Sequence, residues 1–136
     1  MKDKQTRAAF VLLEKDNKIL MLQEGGRLAY GLWCFPGGHV DEEETFEEGA
    51  IREAREESGY EIRIKKIIFN SLIPDTEYKG TEGDTNEVEL TIFRADIIGG
   101  DLRKDDQALD ILWLSKEELF ALALRWDFLK DLITNN

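Results

Sequence analysis

Nine acidic side chains crowd residues 41–57: Asp41, Glu42, Glu43, Glu44, Glu47, Glu48, Glu53, Glu56 and Glu57, with only Arg52 and Arg55 among them. On a helix, where each residue turns about 100° around the axis, Glu56 and Glu57 lie about 60° to one side and about 40° to the other side of Glu53. The three carboxylates then share one face, and Gly49 leaves the same arc open to a neighbouring loop or a ligand. Like charges at i,i+4 weaken a helix by roughly 0.2–0.5 kcal/mol per pair, and acids near its carboxyl end oppose the macrodipole. A divalent cation removes that conflict. Carboxylates are hard oxygen donors suited to Mg²⁺ or Mn²⁺, and Mg²⁺ commonly keeps waters while sharing substrate phosphates. The upstream Gly37-Gly38 pair offers a backbone carbonyl or close approach for a phosphate. The same spacing also suits a solvated acidic face, so composition and projection leave both readings open.

The rest of the composition narrows the chemistry. Cys34 is the only cysteine and His39 the only histidine, which excludes a disulfide framework and a multi-cysteine zinc site. Any metal would rest on oxygen ligands. A net charge of −11 repels nucleic-acid backbones and anionic membranes, so neither a nucleic-acid polymer nor a membrane is an expected partner. With 42% apolar residues the chain can close a core, yet it has no run of eighteen apolar residues to cross a bilayer as a helix. Its 136 residues fit a single domain over 1–136. The opening MKDKQTR precedes no small-residue cleavage pattern, which makes a cytoplasmic setting the expectation.

Several elements must position these residues. TRAAFVLLEK and KILMLQE, separated by Asp16-Asn17, predict a hairpin, and RLAYGLWCFPGG a short buried strand ending at Pro36. Thr45 with Glu48 forms a capping-box pattern, Ala50, Ile51 and Ala54 give the following helix an apolar side, and Gly59 ends it. Residues 61–73 and 87–98 predict strands, with a shorter one at 110–114. Between the first two, PDTEYKGTEGDTN predicts a long polar linker without core content. Ser115 with Glu118 repeats the cap, and Leu119, Leu122, Trp126, Leu129 and Ile133 predict one terminal helix or two joined by a kink. The order of elements predicts an α/β fold, a mixed sheet with helices on both faces.

The run GHVDEEETFEEGAIREAREESGY, residues 38–60, resembles the Nudix box. That pattern is Gly, five residues, Glu, seven residues, Arg-Glu, an aliphatic residue, any residue, Glu-Glu, any residue, Gly and an aliphatic residue. Gly38, Glu44, Arg52, Glu53, Ala54, Glu56, Glu57, Gly59 and Tyr60 take those places. Tyr60 and the small Ala54 depart from it without touching a carboxylate. Asp41, Glu42 and Glu43 stand where the family often has a glutamate, a proline and a glycine. The preceding LWCFPGG is similar to the family's lead-in.

The resemblance implies the Nudix fold, an α/β/α sandwich with a mixed sheet, in which the box forms loop, helix and loop around a divalent metal and a diphosphate. It implies Glu53, Glu56 and Glu57 as metal ligands, with the Gly37 carbonyl as a further one, and Arg52 as the group that orients them by pairing with Glu44. The implied reaction is attack of water on a phosphorus of a nucleoside diphosphate linked to another group. A nucleoside triphosphate yielding monophosphate and pyrophosphate is the favoured small-molecule substrate. ADP-ribose, a sugar nucleotide and a dinucleoside polyphosphate are the alternatives, and a non-catalytic nucleotide sensor is a rival of another class. Glu56 is the first choice of general base, ahead of Glu53 or a later acid; Asp105, with Asp106 beside it, is the best of those. Gly37, Gly38, Trp33 and Tyr78 are candidate nucleotide contacts, Trp33 also suiting the core. His39 is expected to be an ordinary loop residue and Cys34 a buried one. Self-association as a homodimer, through a sheet edge or the terminal helix, is compatible with such a chain.

Overall fold

Alternate residues of the first strand, β1 (Thr6–Leu12), enter two different cores. Ala8, Phe10 and Leu12 meet Trp126, Leu129 and Ile133 from the end of the chain, while Ala9 and Val11 meet Ala50 and Ala54. A strand that is apolar on both faces belongs in the middle of a covered sheet. The computed structural model describes residues 5–81 and 87–136 and shows that arrangement.

The elements that follow are β2 (Glu14–Lys15), β3 (Lys18–Glu24), β4 (Trp33–Cys34), β5 (Gly37–His39), α1 (Phe46–Ser58), β6 (Tyr60–Pro74), α2 (Asp75–Tyr78), β7 (Glu87–Gly100), β8 (Ala108–Ser115), α3 (Lys116–Phe120) and α4 (Phe128–Asn135). One sheet runs β5-β1-β7-β6 and is mixed, with β1 parallel to β7 and the other pairs antiparallel. The second runs β2-β3-β4, with β8 also pairing β3, all antiparallel. The α/β expectation therefore holds. No helix among the described residues is long and apolar enough to cross a membrane.

Four local expectations change. The hairpin shrinks to Glu14–Lys15 against Lys18–Ile19, turned by Asp16 and Asn17 at φ of 53° and 62°. Its apolar first arm instead takes β5 and β7 as neighbours, because both its faces need cover. The single strand expected before Pro36 is two strands in different sheets. Trp33 and Cys34 pair with β3, whereas Gly37 pairs with Phe10 of β1, and the chain crosses at Pro36, whose carbonyl accepts the Val11 N–H at 2.9 Å.

The polar linker carries core content after all. Residues 75–78 form α2, and Tyr78 is 1% exposed against Trp126, with ring centroids 5.6 Å apart. Residues 82–86 of that linker lie outside the described residues. The terminal region is two short helices separated by an extended segment, not one kinked rod. Within that segment Ala123 accepts the Trp33 N–H at 3.0 Å, and the Arg125 N–H donates to the Trp33 carbonyl at 2.8 Å. Satisfying those main-chain groups of Trp33 outweighs the helical spacing of the side chains.

Candidate active site

The helix that carries the acids is fixed at both ends. The Glu48 N–H donates to Thr45 Oγ1 at 3.1 Å and the Thr45 N–H to Glu48 Oε1 at 2.9 Å. Gly59, at φ 84°, closes it by donating its N–H to the Arg55 carbonyl. Ala50 and Ala54 are fully buried, which turns the opposite face of α1 outward.

On that face Arg52 gathers the box. Its Nε donates to Glu44 Oε2 at 2.7 Å and its Nη2 to Glu44 Oε1 at 3.0 Å, a two-pronged pair. Nη2 also donates to the His39 carbonyl at 3.0 Å, and Nη1 reaches Glu53 Oε1 at 3.1 Å and both Glu56 oxygens at 3.4 Å. The Arg52 fork lowers the Glu44 pKa to about 2, and Glu44 in turn holds the guanidinium protonated. Beneath this network Arg7 of β1 donates to the carbonyls of Glu44 at 2.9 Å and Asp41 at 2.7 Å, pinning the loop that presents Glu44.

Glu57 faces the Gly37-Gly38 strand. The Gly37 N–H donates to Glu57 Oε1 at 2.7 Å. Burial nonetheless holds the Glu57 carboxyl well above the usual range, and the negative charges of Glu53, Glu24 and Asp105 add to the rise. Burial also raises Glu53, against the opposing pull of Arg52. A side chain at position 38 would place its Cβ 2.8 Å from the Glu53 carboxyl carbon, so glycine there lets that carboxylate keep its position. Among the described residues no three His, Cys, Asp or Glu side chains form a ready-made metal-holding cluster, and Arg52 bridges Glu53 and Glu56. The donor set still fits a hard cation: two enclosed carboxylates raised by burial and by negative neighbours, beside a glycine that lets Glu53 keep its position.

These groups form one wall of a cleft of about 390 Å³. Arg125, only 4% exposed, also lines it. Its Nε donates to the Tyr78 carbonyl at 3.0 Å, Nη2 to the Lys79 carbonyl at 3.2 Å and Nη1 to Glu24 Oε2 at 2.7 Å. The Lys79 ammonium donates back to the Arg125 carbonyl at 3.1 Å. The guanidinium carbon lies 4.6 Å from the Tyr78 ring centroid and 4.7 Å from that of Trp126. Burial raises the Glu24 pKa, with Arg125 acting against it.

Of the residues singled out by sequence, Gly37, Gly38, Glu53, Glu57, Tyr78 and Asp105 line the cleft. Glu44 and Arg52 lie behind that wall. Glu56 is turned toward Arg52 with its side chain 57% exposed, and it does not line the cleft. Trp33 is 8% exposed and packed in the core, away from the cleft. His39 is the last residue of β5 rather than a loop residue, and it stacks on Tyr78 with centroids 5.7 Å apart. Sequence reasoning missed Arg7, Glu24, Lys79 and Arg125. The one available clue was a charged Arg125 in the otherwise apolar run LFALALRW, residues 119–126.

The NUDIX domain family model matches residues 3–135. An ADP-ribose pyrophosphatase of Methanocaldococcus jannaschii is 33% identical over 112 residues, 82% of this chain and 63% of that protein. The chain thus spans less than two thirds of that relative's length. The nucleoside triphosphatase NudI of an Enterobacter species is 29% identical over 97 residues, 69% of each chain. The solved structure of a Nudix hydrolase from Nitrosomonas europaea aligns with a TM-score of 0.81 at 18% identity, covering 97% of this chain and 88% of that one, a likeness of fold.

Proposed function

The chain belongs to the Nudix family, and on that premise we propose that it hydrolyses the phosphoanhydride bond of a nucleoside diphosphate linked to another group. The observation that carries the reading is the pair of enclosed carboxylates, Glu53 and Glu57, on the wall of a nucleotide-sized cleft. Two such acids sit uneasily beside each other and beside an anionic substrate unless a cation joins them. Glu53, Glu56 and Glu57, with the Gly37 carbonyl, would hold a divalent ion, Mg²⁺ or Mn²⁺. When bound, the ion supplies positive charge against the phosphoryl oxygens and lowers the pKa of a nearby water.

The chain's own residues divide the remaining work. Glu56 accepts the proton of the attacking water as the water oxygen bonds to phosphorus and the bond from that phosphorus to the bridging oxygen breaks, the electron pair leaving with the departing phosphate group; the long contacts of Glu56 to Arg52 leave its carboxylate able to turn. Asp105, on the cleft wall, is the alternative base. Arg52 does not touch substrate but fixes Glu44, Glu53 and the His39 carbonyl in one frame. Arg27 and Lys79 line the same cleft and supply positive charge for phosphates beyond the acidic wall.

A nucleoside triphosphate, cleaved to monophosphate and pyrophosphate, is the favoured substrate, in keeping with the name of the Enterobacter relative. The name of the M. jannaschii relative favours ADP-ribose or another nucleoside diphosphate derivative as the second reading. We place this reaction in the cytoplasm, in residues 1–136 acting as one domain, alone or as a homodimer.

Product analysis of a mixed nucleotide panel with Mg²⁺ or Mn²⁺, repeated with Glu56→Gln and Glu57→Gln, tests the proposal. Metal-dependent cleavage lost in the variants is the expected result, with pyrophosphate separating the first substrate class from the second. Saturable metal-dependent nucleotide binding without turnover would replace the enzyme with a sensor module.

A further inference from the structure

His39 is the outermost ring of a ladder. Phe69 and Phe128 stack with centroids 4.5 Å apart, Phe128 and Trp126 at 5.6 Å, Trp126 and Tyr78 at 5.6 Å, and Tyr78 and His39 at 5.7 Å. No interplanar angle along it exceeds 28°. The inner rings are covered, Trp126 and Tyr78 almost completely, but His39 is exposed and lines the cleft. Tyr78 covers one face of the imidazole, and the other face points away from the ladder.

The main chain that carries the ring is also tied to the acids. His39 pairs with Ala8 of β1, and its carbonyl accepts the Arg52 hydrogen bond that belongs to the Glu44 and Glu53 network. Beyond His39 a second groove opens, lined by Gln5, Thr6, Arg7, Asp41 and Glu42 and touching the cleft at His39 itself. A planar group laid on the imidazole would have amide and carboxylate edges beside it and the acidic wall next to it.

We propose that the face of His39 turned away from Tyr78 is the platform on which the nucleobase of the substrate stacks while its phosphates lie against Glu53 and Glu57. The proposal rests on the nucleotide-hydrolase reading above. It gives the terminal ring of the ladder a ligand that completes the stack, since aromatic faces at 4.5–7 Å centroid separation attract one another and every base offers such a face.

The test compares wild type with His39→Ala and His39→Phe on the best substrate of the nucleotide panel, alongside inhibition by the matching nucleoside monophosphate and by ribose 5-phosphate. His39→Ala is expected to raise KM and the monophosphate Ki about tenfold, with kcat changing far less and the ribose 5-phosphate Ki unmoved. His39→Phe is expected to restore both. An equal loss for monophosphate and ribose 5-phosphate, a fall in kcat without a rise in KM, or a Phe variant as weak as the Ala variant overturns the platform. If His39→Ala fails to fold, the Phe variant alone decides, by retaining or losing the monophosphate affinity of wild type. A wild type that cleaves the panel normally while both variants match it overturns the platform alone. A wild type that neither cleaves nor binds any nucleotide overturns the function and the platform together.

Discussion

Two arginines each hold a glutamate, Arg125 on the cleft wall and Arg52 behind it, and they do so under opposite conditions. Arg52 is partly exposed, and each of its partners lies within 13 residues of it in the sequence. Arg125 is buried among aromatic rings, and its side-chain partners lie 46, 47 and 101 residues away. The glutamates respond in opposite directions: Glu44 falls to about 2 because the Arg52 fork dominates, whereas Glu24 rises because burial outweighs Arg125. The box side is therefore a local device that holds Glu44, Glu53 and the His39 carbonyl in one frame. The Arg125 side is a keystone between distant segments, and its loss should be felt first in folding.

The largest expected effect breaks the keystone. Arg125→Met leaves Glu24 and the carbonyls of Tyr78 and Lys79 without their donor, and should lower the unfolding free energy by about 3–5 kcal/mol in urea denaturation. A loss below about 1 kcal/mol would erase the contrast with Arg52. Next comes the proposed divalent metal, which would load the box side only. Mg²⁺ at about 100 times its Kd should add about 2.7 kcal/mol to the unfolding free energy. That gain should disappear in a Glu53→Gln, Glu57→Gln double variant.

Arg52→Lys keeps the charge but loses the fork. It should lower activity about 10- to 100-fold while the folded state barely weakens, as steady-state rates beside a melting curve would show. The smallest effect sharpens the contrast by pH. Because Glu44 sits below its ordinary 4.5, its contribution to stability is present above that pH and is lost as pH falls toward 2. Glu24 is raised, so its contribution is fullest at low pH and is lost as pH rises through the raised value. Glu44→Gln should therefore flatten the fall in stability between pH 4.5 and 3, and Glu24→Gln should not.

The same contrast explains what could be read in advance. The capping residues Thr45 and Glu48, the stop at Gly59 and the carboxylate spacing all act within one or two helical turns, so residue order alone specifies them. Tyr78 and Arg125 carry no comparable local pattern. Tyr78 stands in a polar stretch and is buried because Trp126 and Arg125 reach it from the other end of the chain. Leu122 and Trp126 keep a helical period, yet the segment between them lies extended because Trp33 needs main-chain partners. Pro36 reads as a strand end, and the exchange of sheets there is decided by β1, which needs a neighbour on each side.

The parallel pairing of β1 with β7 also has a consequence for the order in which the newly made chain can assemble. Thr6 meets Val88 and Leu12 meets Arg94, so the apolar β1 emerges from the ribosome about 80 residues before its long partner. At roughly 5–20 residues per second that is a wait of about 4–16 s. Until then β5 can cover only the three residues Ala8, Ala9 and Phe10. Nascent-chain capture by holding chaperones should accordingly peak before residue 94 clears the exit tunnel and collapse once it has.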